Sequence, residues 1–165
     1  MTVSTRLAPE NQRFVERMGL VWEQEGIPRI AGRIFGFLLL QDAACSLDDM
    51  AAALEVSKAS ISTDARRLEQ LQLIQRVSRP GDRRDYYAIA PDVPLRALEL
   101  KIASMRRLSL PPEEHARLAS SVSPAVQSRL LAFGAAHEHL ISALERLAVE
   151  LRPMLPVNPP VPPAP

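Results

Sequence analysis

Apolar residues recur at spacings of three and four along most of this chain, and the main break in that rhythm falls between residues 73 and 89. Phe14, Met18, Val21 and Trp22 make one stripe, with Glu10, Arg13, Glu16 and Glu23 set to face water. This predicts a helix from just after Pro9 to about Glu25. Gly26 is a stop signal, and Pro28 suits the first turn of a second helix reaching about Gln41. That helix is apolar nearly all round (Ile30, Ala31, Ile34, Phe35, Phe37 to Leu40), so it is expected to be a buried central strut, with Gly32 and Gly36 allowing close helix contact. Leu47, Met50, Ala51 and Leu54 form a third face, begun by Ser46 with Asp49 three residues on, a capping-box spacing. Glu55 and Val56 read as a turn and Ser57 as a second N-cap. A fourth helix follows from Lys58 to about Leu71, with Ile61, Ala65, Leu68 and Gln72 on its inner stripe.

Then the period changes to two. Leu73 to Val77 alternate like a half-buried strand, and Tyr86 to Ile89 read as the returning partner, with a turn marked by Pro80-Gly81-Asp82 between them. A short strand is expected around residues 43–45 against this hairpin. Helical spacing resumes at Pro91-Asp92 and runs to about Arg107 through Leu95, Leu98, Ile102 and Met105. Pro111-Pro112 breaks it, a short helix covers 113–120, and Ser123-Pro124 start a last helix reaching about Arg152. Val126, Leu130, Phe133, His137, Leu140, Leu144, Leu147 and Leu151 alternate by four and three along it. Such a seam requires a partner: a second copy of the chain, the helices at 10–25 and 92–107, or both. His137, its one polar member, reads as a register or packing residue ahead of a pH-sensitive switch.

Two short helices followed by a hairpin make a winged helix-turn-helix. The expected fold class is therefore mainly α with a small β wing: a winged helix-turn-helix plus a helical dimerisation lobe built from both chain ends. The divisions are 1–43 for the N-terminal helices, 44–90 for the winged helix-turn-helix, 91–155 for the C-terminal dimerisation region and 156–165 (PVNPPVPPAP) for an extended, polyproline-like tail. The chemistry follows from the outer face of the fourth helix. Ser57, Lys58, Ala59, Ser60, Ser62 and Thr63 are small or hydroxylated at its N-terminal end, and Arg66 and Arg67 come one turn later. A helix entering a major groove needs small residues for close approach, free N–H groups toward phosphate, and guanidinium groups that bond guanine in bidentate fashion. The hairpin adds Arg79, Gly81, Asp82, Arg83 and Arg84 as candidate wing contacts to phosphates or a minor groove, with Asp82 and Asp85 placed to hold the arginines in a fixed pose.

Composition narrows the partners. Net charge is only +1, with a pI near 8.0, so the basic groups form a local patch rather than the overall basicity of a DNA-packaging protein. Aromatics are 4% of the chain, too few for many single-strand stacking platforms. A single cysteine excludes an intramolecular disulfide and suits a reducing cytoplasm. The start of the chain lacks the apolar core of a signal peptide, and the Ile30–Leu40 run is too short to span a bilayer, so no membrane partner is expected. Gly-rich phosphate loops, metal-ligand spacings and nucleophile–base pairings are not found, which argues against an enzyme and against a cofactor. His137 and His139 point to different faces of a helix and, with His115, make no metal site. Cys45 reads as a small buried residue ahead of a redox sensor, since the nearby Asp42 and Asp48 would oppose thiolate formation.

Four stretches carry a family resemblance: Phe14 to Leu20, Gly26 to Ile34, the SLDDMAAALEVSKASIST helix pair and the RVSRPGDRRDYY hairpin. Over residues 10–90 the chain resembles the MarR-type winged helix-turn-helix transcriptional regulators, and more closely their GbsR-like branch. The resemblance implies a homodimeric regulator of double-stranded DNA, usually a repressor, whose affinity responds to a small-molecule effector. It also implies that Ser57 to Arg67 lie in the major groove and that Arg79 to Arg84 form the wing tip. GbsR-type regulators respond to choline, but this chain shows no set of aromatics for a quaternary-ammonium cage, so no effector is assigned. An effector pocket is expected where the end helices meet the DNA-binding lobe, near Trp22 and Met105. The alternative from another class is a winged-helix protein-docking module without DNA binding. The arginines at both places speak against it.

Overall fold

The structure, a computed structural model, describes residues 7–155; the expectations for the start of the chain before residue 7 and for the tail at 156–165 lie outside the described residues. Residues 7–93 and 94–155 form two compact units. In the first, α1 (Pro9–Gln24) packs on α2 (Arg29–Leu39). Their closest approach is at Gly32, where a Cβ would lie 2.6 Å from the Met18 carbonyl oxygen and 2.9 Å from the Gly19 Cα. This crossing decides which face of α1 is covered. Val15 and Gly19 are buried and Met18 and Trp22 half-buried, whereas Phe14 and Val21, expected on the inner stripe, are 38% and 44% exposed. Trp22 meets Phe35 at 4.9 Å between ring centroids. In α2 Ile34 and Phe37 are fully buried, each worth roughly 1.5–3 kcal/mol of apolar transfer, whereas Leu39 and Leu40, expected in a helix buried nearly all round, are 43% and 38% exposed.

The helix pair follows from its caps. Ser46 accepts from the Asp49 N–H while the Asp49 carboxylate takes the Ser46 N–H at 2.9 Å, a full capping box that starts α3 (Leu47–Leu54). Ser57 accepts from the Ser60 N–H and starts α4 (Lys58–Gln70). Both helices end with a left-handed residue just past the last turn. Val56 N–H bonds the Ala51 carbonyl around Glu55 (φ 55°), and Leu73 N–H bonds the Leu68 carbonyl around Gln72 (φ 57°). Gln72 is therefore not part of the inner stripe of α4: the chain turns left-handed there and exposes it, while Ile61, Ala65 and Leu68 are buried.

Strands β1 (Cys45–Ser46), β2 (Ile74–Arg79) and β3 (Asp82–Ile89) make an antiparallel sheet in the order β1-β3-β2. The wing strands run further than alternation alone suggested, because Arg79 pairs with Asp82 and only Pro80 and Gly81 turn the chain. Gly81 has φ 80°, the left-handed second position that follows Pro in a type II turn.

In the second unit, α5 (Val93–Arg106) and α7 (Pro124–Leu151) bury Leu95 and Ile102 against Ile141 and Ala148, with Leu98, Met105, Leu144 and Leu155 packed around them. The short α6 (Pro112–Ser120) lays His115 over Gly134, where a Cβ would be 2.6 Å from the ring. The α7 seam splits into two rows. Leu130, His137, Leu144 and Leu151 are half-buried, whereas Phe133, Leu140 and Leu147 are exposed by 61%, 52% and 41%. His137 Nε2 lies 2.9 Å from the Met105 carbonyl oxygen, so Nε2 carries the proton and donates, which gives His137 a fixed register contact. Among the described residues no helix is long and apolar enough to cross a membrane.

The caps give a direct test. Replacing Gln72 by Gly removes the left-handed Cβ strain and is expected to raise the unfolding free energy by about 1 kcal/mol. Gly32→Ala is expected to lower it by more than that, since the clash is with backbone. Urea melts of both variants read the difference.

Candidate nucleic-acid interface

The outer face of α4 is open. Ser57, Lys58, Ala59, Thr63, Arg66, Arg67 and Gln70 are exposed, and Ser60 and Ser62 are half-buried. The hydroxyls at its start are already ordered: Ser57 and Ser60 oxygens lie 2.9 Å apart, and Thr63 Oγ1 donates to the Ala59 carbonyl at 3.0 Å. The three cations differ in their freedom. Lys58 pairs with Asp48 at 2.8 Å, and Arg67 Nε lies 3.5 Å from Asp64. Arg66 donates from Nε to the Ser62 carbonyl at 3.1 Å and has no carboxylate partner among the described residues, so its fork is the most available for a base or phosphate. Asp64 was not foreseen. It is buried on the inner face of α4, and desolvation raises its pKa against the opposing pull of Arg67. The i,i+3 spacing to Arg67 was the signal for it.

On the wing, strand alternation sorts the side chains. Asp82, Arg84 and Tyr86 share one face. Asp82 accepts from the Arg84 backbone N–H at 2.9 Å, from Arg84 Nε at 3.0 Å and Nη2 at 2.6 Å, and from the Tyr86 hydroxyl at 2.7 Å. These bonds hold the Asp82 carboxyl well below the usual carboxylate range and raise the Tyr86 phenol. On the other face Arg76 pairs with Asp85 at 2.8 Å. Both aspartates thus fix arginines as expected, though Asp85 takes Arg76. Arg83 is exposed and without an ion pair among the described residues. Arg79 is half-buried and turned onto the sheet, with its guanidinium carbon 3.6 Å from the Tyr86 ring centroid.

This helix-and-wing geometry can be set against known proteins. Residues 25–85 match the model of the MarR family. That stretch is similar to the MarR-family winged helix. The chain is also similar to an HTH-type transcriptional regulator of Mycobacterium tuberculosis, MmpR5: 41% identity over 85 residues, 51% of this chain and 52% of that protein. The chain thus spans about half the length of that curated relative. A crystal structure described as a transcriptional regulator superposes with a TM-score of 0.71 at 29% identity, covering 87% of this chain and 99% of that one. That likeness extends beyond the helix pair and wing.

Cys45 sits beside this interface on β1, fully buried, with its Sγ 3.5 Å from the Ala43 carbonyl oxygen. Burial, and then Asp49, push its thiol up to about 12. Among the described residues no cluster could hold a metal ion. Iodoacetamide at pH 8 is expected to leave the folded chain unlabelled and to label it fully in denaturant. The sign for stability is also set. The folded state keeps the thiol proton that the unfolded chain gives up from about pH 8.5. Cys45 therefore lowers stability progressively between there and pH 12, and Cys45→Ala should flatten that decline.

Proposed function

We propose that this chain is a homodimeric, sequence-specific regulator of transcription, a repressor of the GbsR-like kind whose grip on double-stranded DNA is set by a small-molecule effector. One observation carries the DNA-binding part. An open helix face with hydroxyls at its N-terminus and a free Arg66 belongs to the same compact unit as a wing whose far end carries Arg83 and Arg84. In this reading the start of α4 enters a major groove, Arg66 reads a base edge or phosphate, and the wing follows the backbone alongside. The repressor sense and the effector rest on the resemblance over residues 10–90. The homodimer rests on α7, whose row Phe133, Leu140 and Leu147 lies seven residues apart and open to solvent in the single chain. Two copies would set two recognition helices about one helical turn apart, roughly 34 Å, on one face of the duplex.

A protein-docking module has one observation in its favour: Lys58, Arg76 and Arg84 are each satisfied by a carboxylate, which lowers the field available to phosphate. Fluorescence anisotropy against duplex DNA from upstream of the chain's own gene, with a random duplex as control over a salt series, separates the two. The regulator binds the upstream duplex more tightly and with steep salt dependence; no binding to either duplex at low salt leaves an effector-dependent binder or the docking module, and moves docking to the front. Arg66→Ala is expected to weaken specific binding by about 1–3 kcal/mol if it bonds a base, and all sequences equally if it bonds phosphate. Arg83→Ala should reduce the salt slope by about one unit. For the dimer, Leu140→Glu is expected to yield monomers in sedimentation equilibrium without loss of helical signal.

A further inference from the structure

By strand pairing the wing is joined to the rest of its unit at its base only. Strand β1 pairs with β3 at two positions, Cys45 with Tyr87 and Ser46 with Tyr86, and beyond Tyr86 toward the tip β3 is paired with β2 alone. The β2–β3 register is itself irregular between Val77 and Arg79. A hairpin held this way is free to swing about its base, and a swing moves Arg83 and Arg84 relative to α4. Arg79 stands at the far end of β2, where it opposes that motion. Its Nη2 donates to the Ala44 carbonyl at 2.8 Å, across 35 residues of sequence, and its guanidinium lies flat enough on Tyr86 to bring Cζ within 3.6 Å of the ring centroid. Its Nε is buried without a hydrogen-bond partner, so the head group is committed to the protein. Tyr86 donates to Asp82, and Asp82 holds the Arg84 guanidinium and backbone.

We infer that Arg79 is a positioning residue, not a DNA contact: it clamps the wing to the segment immediately before the Ser46 cap of α3, and so fixes where Arg83 and Arg84 stand relative to the recognition helix. One connected path runs from the Ala44 carbonyl through Arg79, Tyr86 and Asp82 to Arg84. The segment it starts from leads straight into the helix pair. A lysine cannot replace this arginine, because an ammonium has neither the flat face that stacks on a ring nor the fork that also reaches a carbonyl, although it serves a phosphate as well as any cation.

The consequence for DNA rests on the regulator reading; the clamp itself does not, and the test separates them. In the free, full-length protein, amide hydrogen exchange of Arg79→Lys is expected to rise about tenfold for the wing amides from Arg83 to Tyr86 and to stay at the wild-type rate in α2 and α4; ten-fold is the size of losing one such contact. Arg83→Lys serves as the control and should leave the wing unchanged. A rise spread evenly over the whole unit would mean general destabilisation and would overturn the positioning role, as would wild-type exchange in the wing. On the upstream duplex, Arg79→Lys is expected to lose about tenfold in affinity at unchanged melting temperature. Full affinity and an unchanged salt slope in Arg79→Lys would make Arg79 a phosphate contact instead. Failure of the wild-type chain to bind either duplex would reduce the regulator reading to an effector-dependent binder, with docking ahead of it, and leave the clamp to be decided by exchange.

Discussion

Two residues of strand, Cys45 and Ser46, carry the organisation of the first unit. Their pairing with Tyr87 and Tyr86 joins a hairpin made of residues 74–89 to a helix pair that begins at the very next residue. The same Ser46 whose backbone lies in the sheet also closes the capping box on α3. Sheet and helix therefore share a residue, and the orientation of one fixes the other. Burial makes the joint rigid: Cys45, Ser46, Tyr86 and Tyr87 are all at most 2% exposed. The raised thiol pKa of Cys45 is a by-product of that burial. It makes the cysteine a packing residue at this joint and removes the chemistry a redox sensor would need.

Charge in this unit is arranged rather than accumulated. Most of the cations near the helix pair and wing are met by carboxylates: Lys58 by Asp48, Arg67 by Asp64, Arg76 by Asp85 and Arg84 by Asp82. Exposed pairs like these contribute little stability, about 0–1 kcal/mol each. Their effect is on geometry, most of all for Arg84, whose guanidinium is held by Asp82 through both Nε and Nη2 and keeps one direction that a free side chain would lose entropy to adopt. Arg66 and Arg83 remain as the open cations of helix and wing. With a net charge near zero, the positive field of this unit is local to these groups.

The second unit shows how one helix serves two surfaces. Along α7 the buried positions Ile141 and Ala148 and the half-buried Leu144 face α5, while Phe133, Leu140 and Leu147 face away. Ion pairs of Arg106 with Glu145 and of Arg152 with Glu99 flank the α5–α7 contact. In the single chain one row of the seam is half-buried and the other lies open.

The sequence by itself determined every helix and the wing, because caps, periods and turn residues act over a few positions: Ser46 with Asp49, Ser57 before α4, Pro80-Gly81 at the turn. It also marked the open face of α4, since exposure there follows from helical spacing. Contacts between distant segments were decided only in the folded chain. The inner face of α1 depends on where Gly32 meets Met18 and Gly19, so Val15 is buried and Phe14 is not. Lys58 finds Asp48 across a turn, at a separation no helix or strand period specifies. Arg79 appeared in the sequence as one of three basic residues near a turn; only the approach of Ala44, 35 residues earlier, and of the Tyr86 ring separated it from Arg83. Local spacing fixes which elements form and which way they face on average. Side-chain partners are fixed by the packing of elements far apart in sequence, where close contact and loss of water make one arrangement of the same residues better than the others.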